Sequence, residues 1–270
     1  MPPRKSDRAP RILAFANQKG GVGKTTTAIN LATALAADRK VALFDLDPQG
    51  NASTGLGISR ADRAAGTYAL LVEGRPLGEL LRPTAVPNLF ILPADPDLAG
   101  AEIELVTFED RERRLAQAIA DAGQALAGFD YIFMDCPPSL GLITLNALVA
   151  ADGVLVPLQT EFFALEGISQ ITRTIDRVRR ALNDRLTLEG IILTMVDRRN
   201  NLSELVATDV RGFFKDKVYE TVIPRNVRVS EAPSHGLPVL LYDFRSPGAQ
   251  AYIRLAAEFL KRERARNRAP

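Results

Sequence analysis

A chain of 270 residues with 46% hydrophobic and 24% charged side chains has the composition of a globular protein, long enough for one large α/β domain. Its formal net charge of +2 is too near balance to argue for a polyanionic partner, so any basic site must be local. One cysteine, Cys136, excludes an internal disulfide and any intrachain site built from several thiolates, and it reads as a small core residue in a reducing compartment.

Residues 1–11 are polar and proline-containing, read as a tail, and lack the apolar run of a secretory signal. No segment approaches the ~20 apolar residues of a membrane helix, so a cytoplasmic location is expected. Ile12 to Ala16 is a short apolar run that predicts a buried strand, and it ends at a glycine-rich stretch, Asn17 to Thr26. Ala28, Leu31, Ala32 and Leu35 then give one apolar helix face, and Val41 to Phe44 supply a second buried strand. This order is a βαβ unit.

From Pro48 to about Arg114 the pattern is irregular, with short helical pieces and a strand at Leu89 to Leu92. Apolar runs return at Tyr131 to Met134, Gly153 to Leu158 and Gly190 to Met195. Between the last two, Ile168, Ile171, Ile175, Val178 and Leu182 form a helical stripe able to cover a sheet face. Buried strands alternating with amphipathic helices predict a single-domain, doubly wound, mostly parallel sheet with helices on both faces. The domain is expected over 12–262, followed by a basic tail at 263–270. Ligands of such sheets sit at the carboxyl ends of the strands, where every unusual motif of this chain falls.

The stretch Asn17 to Thr26 almost matches the phosphate-binding loop G-x-x-x-x-G-K-[ST]; Gln18 stands where the first glycine belongs, with Lys19 beside it. Gly20, Gly21 and Gly23 let the backbone aim N–H groups at an anion, together with the N-terminus of the following helix. Lys24 supplies a point charge for β- and γ-phosphates, and the Thr25 hydroxyl suits Mg²⁺. Asp135, at a strand end, is placed to reach that ion through water. Asp45 and Asp47, two apart at the end of another strand, project to the same side. Two carboxylates beside a triphosphate repel it unless their tasks differ, so Asp45 is assigned to the metal neighbourhood and Asp47 to the attacking water.

Four segments carry a resemblance: Lys19 to Thr26 (KGGVGKTT), Phe44 to Asn51 (FDLDPQGN), Asp135 to Ser139 (DCPPS) and Val222 to Gly236 (VIPRNVRVSEAPSHG). Together they are similar to the ParA/Soj family of DNA-partitioning ATPases, from about Ile12 to Leu260. The resemblance implies a P-loop NTPase fold of the deviant Walker A type and a slow ATPase that a ParB-like partner stimulates. It implies ATP and Mg²⁺ as ligands, bound through Lys19, Gly20, Gly21, Val22, Gly23, Lys24, Thr25 and Thr26, with Pro224 and Asn226 on the base side. Lys19 resembles the signature lysine that crosses a homodimer to the partner's phosphates, which makes Lys19, Lys24 and Asp47 the catalytic set. Gln159 to Gly167 resembles a second switch-like segment.

Arg199 and Arg228 resemble positions used for non-specific contact with double-stranded DNA, with Arg225 a weaker candidate. These arginines belong to a run of cations, Arg198, Arg199, Arg211, Lys215, Lys217, Arg225 and Arg228, set against six acids when the flanking Asp197 and Glu231 are counted with Glu204, Asp209, Asp216 and Glu220. A basic patch therefore requires folding to sort the signs; a mixed, solvated surface is the alternative. His235 reads as structural. The implied function is ATP-dependent segregation of a chromosome or plasmid on the nucleoid. Two other readings share the loop: a MinD-like membrane-surface ATPase, and a metabolic ATP-dependent ligase with no need of Lys19. The charged sequence after Leu260 lacks the apolar face that membrane insertion needs, so no membrane partner is expected.

Overall fold

The computed structural model describes residues 9–197 and 199–267. Seven strands, β1 (Arg11–Phe15), β2 (Val41–Asp45), β3 (Arg82–Pro83), β4 (Leu89–Leu92), β5 (Tyr131–Asp135), β6 (Gly153–Gln159) and β7 (Thr187–Thr194), form one sheet in the order β3-β4-β2-β5-β1-β6-β7. All pairings are parallel except β3 with β4 at the edge. The helices in chain order begin with α1 (Lys24–Leu35), α2 (Asn51–Gly55), α3 (Thr67–Leu71), α4 (Leu77–Leu80), α5 (Ala101–Leu105) and α6 (Arg114–Asp121). They continue with α7 (Leu142–Ala150), α8 (Ala164–Ala181), α9 (Asn201–Phe214), α10 (Val227–Glu231), α11 (Val239–Tyr242) and α12 (Pro247–Arg266).

Successive strand residues point to opposite faces, and both faces are covered. Leu13, Phe15, Leu43 and Phe133 meet α1 and α12 on one side, while Ala14, Phe44, Met134 and Val154 meet α6, α7 and α8 on the other. That is why the strands read as unbroken apolar runs. The stripe predicted for the helix before β7 is the buried face of α8, formed by Ile168, Ile171, Ile175 and Val178. Cys136 is buried and free, in the core as expected.

Two expected boundaries move. Arg11 opens β1 rather than closing a tail, held by Glu189 at 2.7 Å and by Asp152 and Glu263 at 3.7 Å. The expected basic tail at 263–270 begins inside α12, which runs to Arg266. Its charges are ion-paired along the helix, Arg262 with Glu258 at 2.8 Å and Arg266 with the buried Glu263 at 3.0 Å. The remainder of both expected tails, residues 1–8 and 268–270, lies outside the described residues, as does Arg198.

α12 packs along α1 and buries Tyr252, Leu255 and Phe259. Phe259 stands edge-on to Tyr131 and Phe133, with ring centroids 5.4 and 6.1 Å apart. We expect Phe259→Leu to keep most of the apolar volume but lose these aromatic contacts, lowering stability by about 1–2 kcal/mol. A urea midpoint equal to wild type would show that this ring does not anchor the helix. The apolar face of α12 thus closes the core, which removes the free amphipathic surface that membrane binding by this helix requires. Among the described residues no helix is long and apolar enough to cross a membrane.

Candidate functional site

Three strand ends converge on the loop after β1. Asn17, buried, donates from Nδ2 to Pro157 O at 2.8 Å and accepts the Lys19 N–H at 3.0 Å, so the loop is braced to β6 before its glycines begin. On the β7 side, the Thr194 hydroxyl donates to Val22 O at 2.8 Å. Gly23, at φ 84°, is the residue from which α1 starts; an L side chain is strained there. No side chain caps α1, which leaves its first N–H groups available to an anion. Gly20 and Gly21 are exposed, and side chains added there would meet open space.

The two lysines part company. Lys24 is 6% exposed, with Nζ donating to Lys19 O at 3.1 Å. Burial lowers its pKa, and Asp135, Cys136 and Asp47 oppose that shift. Lys19 lies at the rim, its side chain 49% exposed and ion-paired with Glu161, which lies just past the end of β6.

Asp45 and Asp135 stand side by side in the β2–β5 register, both fully buried. Their environments differ. Asp45 Oδ2 accepts from Ser53 N at 2.7 Å and from the Ser53 hydroxyl at 2.6 Å. Burial still pushes the Asp45 carboxyl up to about 6 against those hydrogen bonds. Oδ2 of Asp45 is thus committed to the start of α2, which it helps to position, while Oδ1 accepts only the Asp47 N–H at 3.4 Å. Asp135 has no hydrogen-bond partner on either oxygen. Burial, then the Asp45 charge, raises its pKa well above the ordinary range, while Thr25 and Lys24 act in the opposite direction. An orphaned buried carboxylate beside a buried ammonium and a threonine hydroxyl is a donor set that fits a hydrated Mg²⁺ on a phosphate chain.

Asp47 lies two residues beyond β2, nearly buried, where its charge acts on both Lys24 and Asp135. Its Oδ1 accepts the Gln49 N–H at 3.0 Å. Thr26 lies partly buried in the first turn of α1. Pro224 reaches the same edge through a bridge to Val196, reinforced by the Arg225 N–H on Val196 O at 3.2 Å. Asn226 caps α10, accepting from Val229 N at 3.4 Å.

The arginines expected at DNA are exposed, and two of the three are paired with carboxylates. Arg199 forks onto Asp197 at 3.0 and 2.9 Å, and these bonds hold the Asp197 carboxyl down at about 2. Arg228 pairs with Glu231 at 3.0 Å and Asp243 at 3.4 Å. Arg225 is exposed and, among the described residues, has no carboxylate within ion-pair distance. His235 stacks on Tyr242 with centroids 4.8 Å apart, a packing role. Three participants escaped the sequence reading: Asn17, Ser53 and Thr194 are ordinary polar residues whose partners lie far away in the chain or in irregular loops.

A family profile described as an AAA domain matches residues 10–188. The chromosome partitioning protein ParA of Caulobacter vibrioides is 58% identical over 257 residues, covering 95% of this chain and 96% of that protein. The sporulation initiation inhibitor protein Soj of Bacillus subtilis is 53% identical over 249 residues, covering 92% of this chain and 97% of that protein. Among solved structures, cobyrinic acid a,c-diamide synthase from Mycobacterium smegmatis with bound ADP and magnesium superposes with a TM-score of 0.82 at 37% identity, covering 97% and 98% of the two chains.

Proposed function

The chain carries an AAA domain and belongs to the ParA/Soj family of chromosome-partitioning ATPases, and from that premise we propose that it segregates DNA through an ATP-bound sandwich homodimer. The dimer holds double-stranded DNA on the nucleoid without reading its sequence, and hydrolysis stimulated by a ParB-like partner releases it. One observation carries this reading: of the two loop lysines, Lys24 is 6% exposed and Lys19 keeps a side chain 49% exposed at the rim. A nucleotide in its own pocket is served by the buried lysine. The rim lysine is placed for phosphates that a second copy brings.

In the hydrolytic step the loop N–H groups and Lys24 hold the β- and γ-phosphates. Thr25 and Asp135 would hold Mg²⁺, which when bound supplies positive charge to the phosphate oxygens. Asp47 orients a water for attack on the γ-phosphorus, and Lys24 with the partner copy's rim lysine balances charge on the leaving ADP oxygen. Each bound triphosphate favours the dimer by interacting with it more strongly than with the single copy.

DNA retention follows from doubling. Arg199, Arg225 and Arg228 from two copies give about six phosphate contacts and a log–log salt slope of about −5. Arg199 and Arg228 must exchange carboxylates for phosphates, which are exposed pairs worth little in water. The expected result of a salt-dependent titration is DNA binding with ATP, and much weaker binding with ADP or no nucleotide. Arg199→Glu with Arg228→Glu should remove that binding without loss of the dimer, and liposomes should pellet no protein in any state. Wild-type DNA binding by the double variant would remove these arginines from the interface; pelleting with liposomes would favour the membrane reading.

A further inference from the structure

Behind the loop that carries Asp47 lies a buried cation that the hydrolytic step above does not use. Arg63 is 6% exposed. Its guanidinium addresses three neutral oxygens: Nη1 donates to Gly50 O at 3.0 Å, Nη2 to Thr54 Oγ1 at 2.7 Å, and both Nη2 and Nε to Ile58 O at 2.6 and 3.1 Å. The Asp45 charge favours the cation against its desolvation, but every hydrogen-bond acceptor of the guanidinium is uncharged, and burying a charge against such acceptors is costly. What a guanidinium alone supplies is a rigid fork that grips several carbonyls in fixed geometry.

The grip falls on the far end of the Asp47 turn. Gly50 N–H donates to Asp47 O at 2.8 Å, and Gly50 O accepts from Thr54 N and Thr54 Oγ1 at 3.0 Å as well as from Arg63. Gly50 sits at φ 64°, and a Cβ there would lie 2.1 Å from Arg63 Nη1. The absent side chain is what lets the guanidinium reach the carbonyl. Asp47 meanwhile fixes only Oδ1, on Gln49 N. The orientation of the carboxylate therefore follows the turn from Asp47 to Gly50, which the Asp47 N–H on Asp45 Oδ1 at 3.4 Å ties at its start and Arg63 helps to hold at its far end.

We propose that Arg63 is a positioning residue for hydrolysis: it clamps Gly50 so that Asp47 presents its carboxylate to the attacking water. This rests on the role of Asp47 proposed above. Displacing a group that orders the nucleophile by ~1 Å costs up to ~100-fold in rate, whereas binding of the nucleotide, held on the other side of the site, is little affected.

The test compares Arg63→Lys, Arg63→Ala, Gly50→Ala and Asp47→Ala in the full-length protein. Lysine keeps the charge and loses the fork. For Arg63→Lys the expected result is a kcat lowered about tenfold or more, with the KM for ATP and the ATP concentration for half-maximal dimerisation within about twofold of wild type. Gly50→Ala, which pushes the guanidinium off the carbonyl, should show the same split. Arg63→Ala should recover part of its turnover when free guanidinium is added and none when methylammonium is added. Turnover and dimerisation falling together in Arg63→Lys and Gly50→Ala would mean a purely structural arginine and overturn the proposal. So would normal kcat in both while Asp47→Ala is inactive. Normal turnover in Asp47→Ala would instead sink the underlying assignment of the water.

Discussion

Lys19→Gln is expected to abolish ATP-driven dimerisation while ATP still binds the single copy. The pocket lysine is Lys24, buried against the loop, and it is untouched by this change. What disappears is the rim cation on each side of the dimer. Two triphosphates facing each other repel, and each Lys19 would answer the partner's phosphates with a charge-assisted hydrogen bond of about 1.5–3 kcal/mol. Two such bonds per dimer predict an association constant lower by about 10²–10⁴-fold. The Glu161 pair that holds Lys19 in the single copy does not stand in the way, because exposed pairs are worth about 0–1 kcal/mol. Light scattering with a non-hydrolysable ATP analogue reads the result, and fluorescence titration of the analogue reads retained binding. A variant that dimerises at the wild-type analogue concentration would show that Lys19 serves only its own nucleotide.

Six of the seven strands and the phosphate loop were legible because their physics is local. β1, β2, β4, β5, β6 and β7 carry runs of apolar residues, buried along most of their length, that need no partner to be recognised. The loop is announced by glycines and lysines at fixed spacing. The segment between β2 and β5 was not legible in detail, since its order comes from distant bonds. Asp95, for example, gathers the N–H groups of Gly66, Tyr68 and Ala69 at 2.7–3.1 Å to start α3. β3 is two residues long and includes Pro83, so neither alternation nor propensity marks it. The same limit governed the site. Spacing put Asp45 and Asp47 at one strand end, but only the fold shows that Ser53 occupies Asp45 and leaves Asp135 unpartnered. The charges after Leu260 read as a tail because helical pairing between Glu258 and Arg262, and between Glu263 and Arg266, has no apolar signature.

The difference between those carboxylates decides the second large effect. Asp47→Ala is expected to lower turnover by about 10²–10⁴-fold, the range for loss of a positioned general base, while the ATP dimer still forms. Asp45 is poorly suited to that task, with Oδ2 held by two Ser53 donors, and Asp135 lies fully buried at the base of the site. Asp47 combines near-burial, proximity to Lys24 and an oxygen left over from its bond to Gln49 N. Its removal sacrifices one local hydrogen bond, worth about 1 kcal/mol, so the fold and the lysines that bind phosphate persist. Because hydrolysis ends the dimer, a slow variant should accumulate on DNA: phosphate release falls, and retention on a DNA-coated surface after an ATP chase lengthens in proportion. Phosphate release at the wild-type rate would exclude Asp47 as the group that orders the water. Slow release without prolonged DNA retention would separate hydrolysis from DNA dissociation and leave the partner-stimulated release step to some other event.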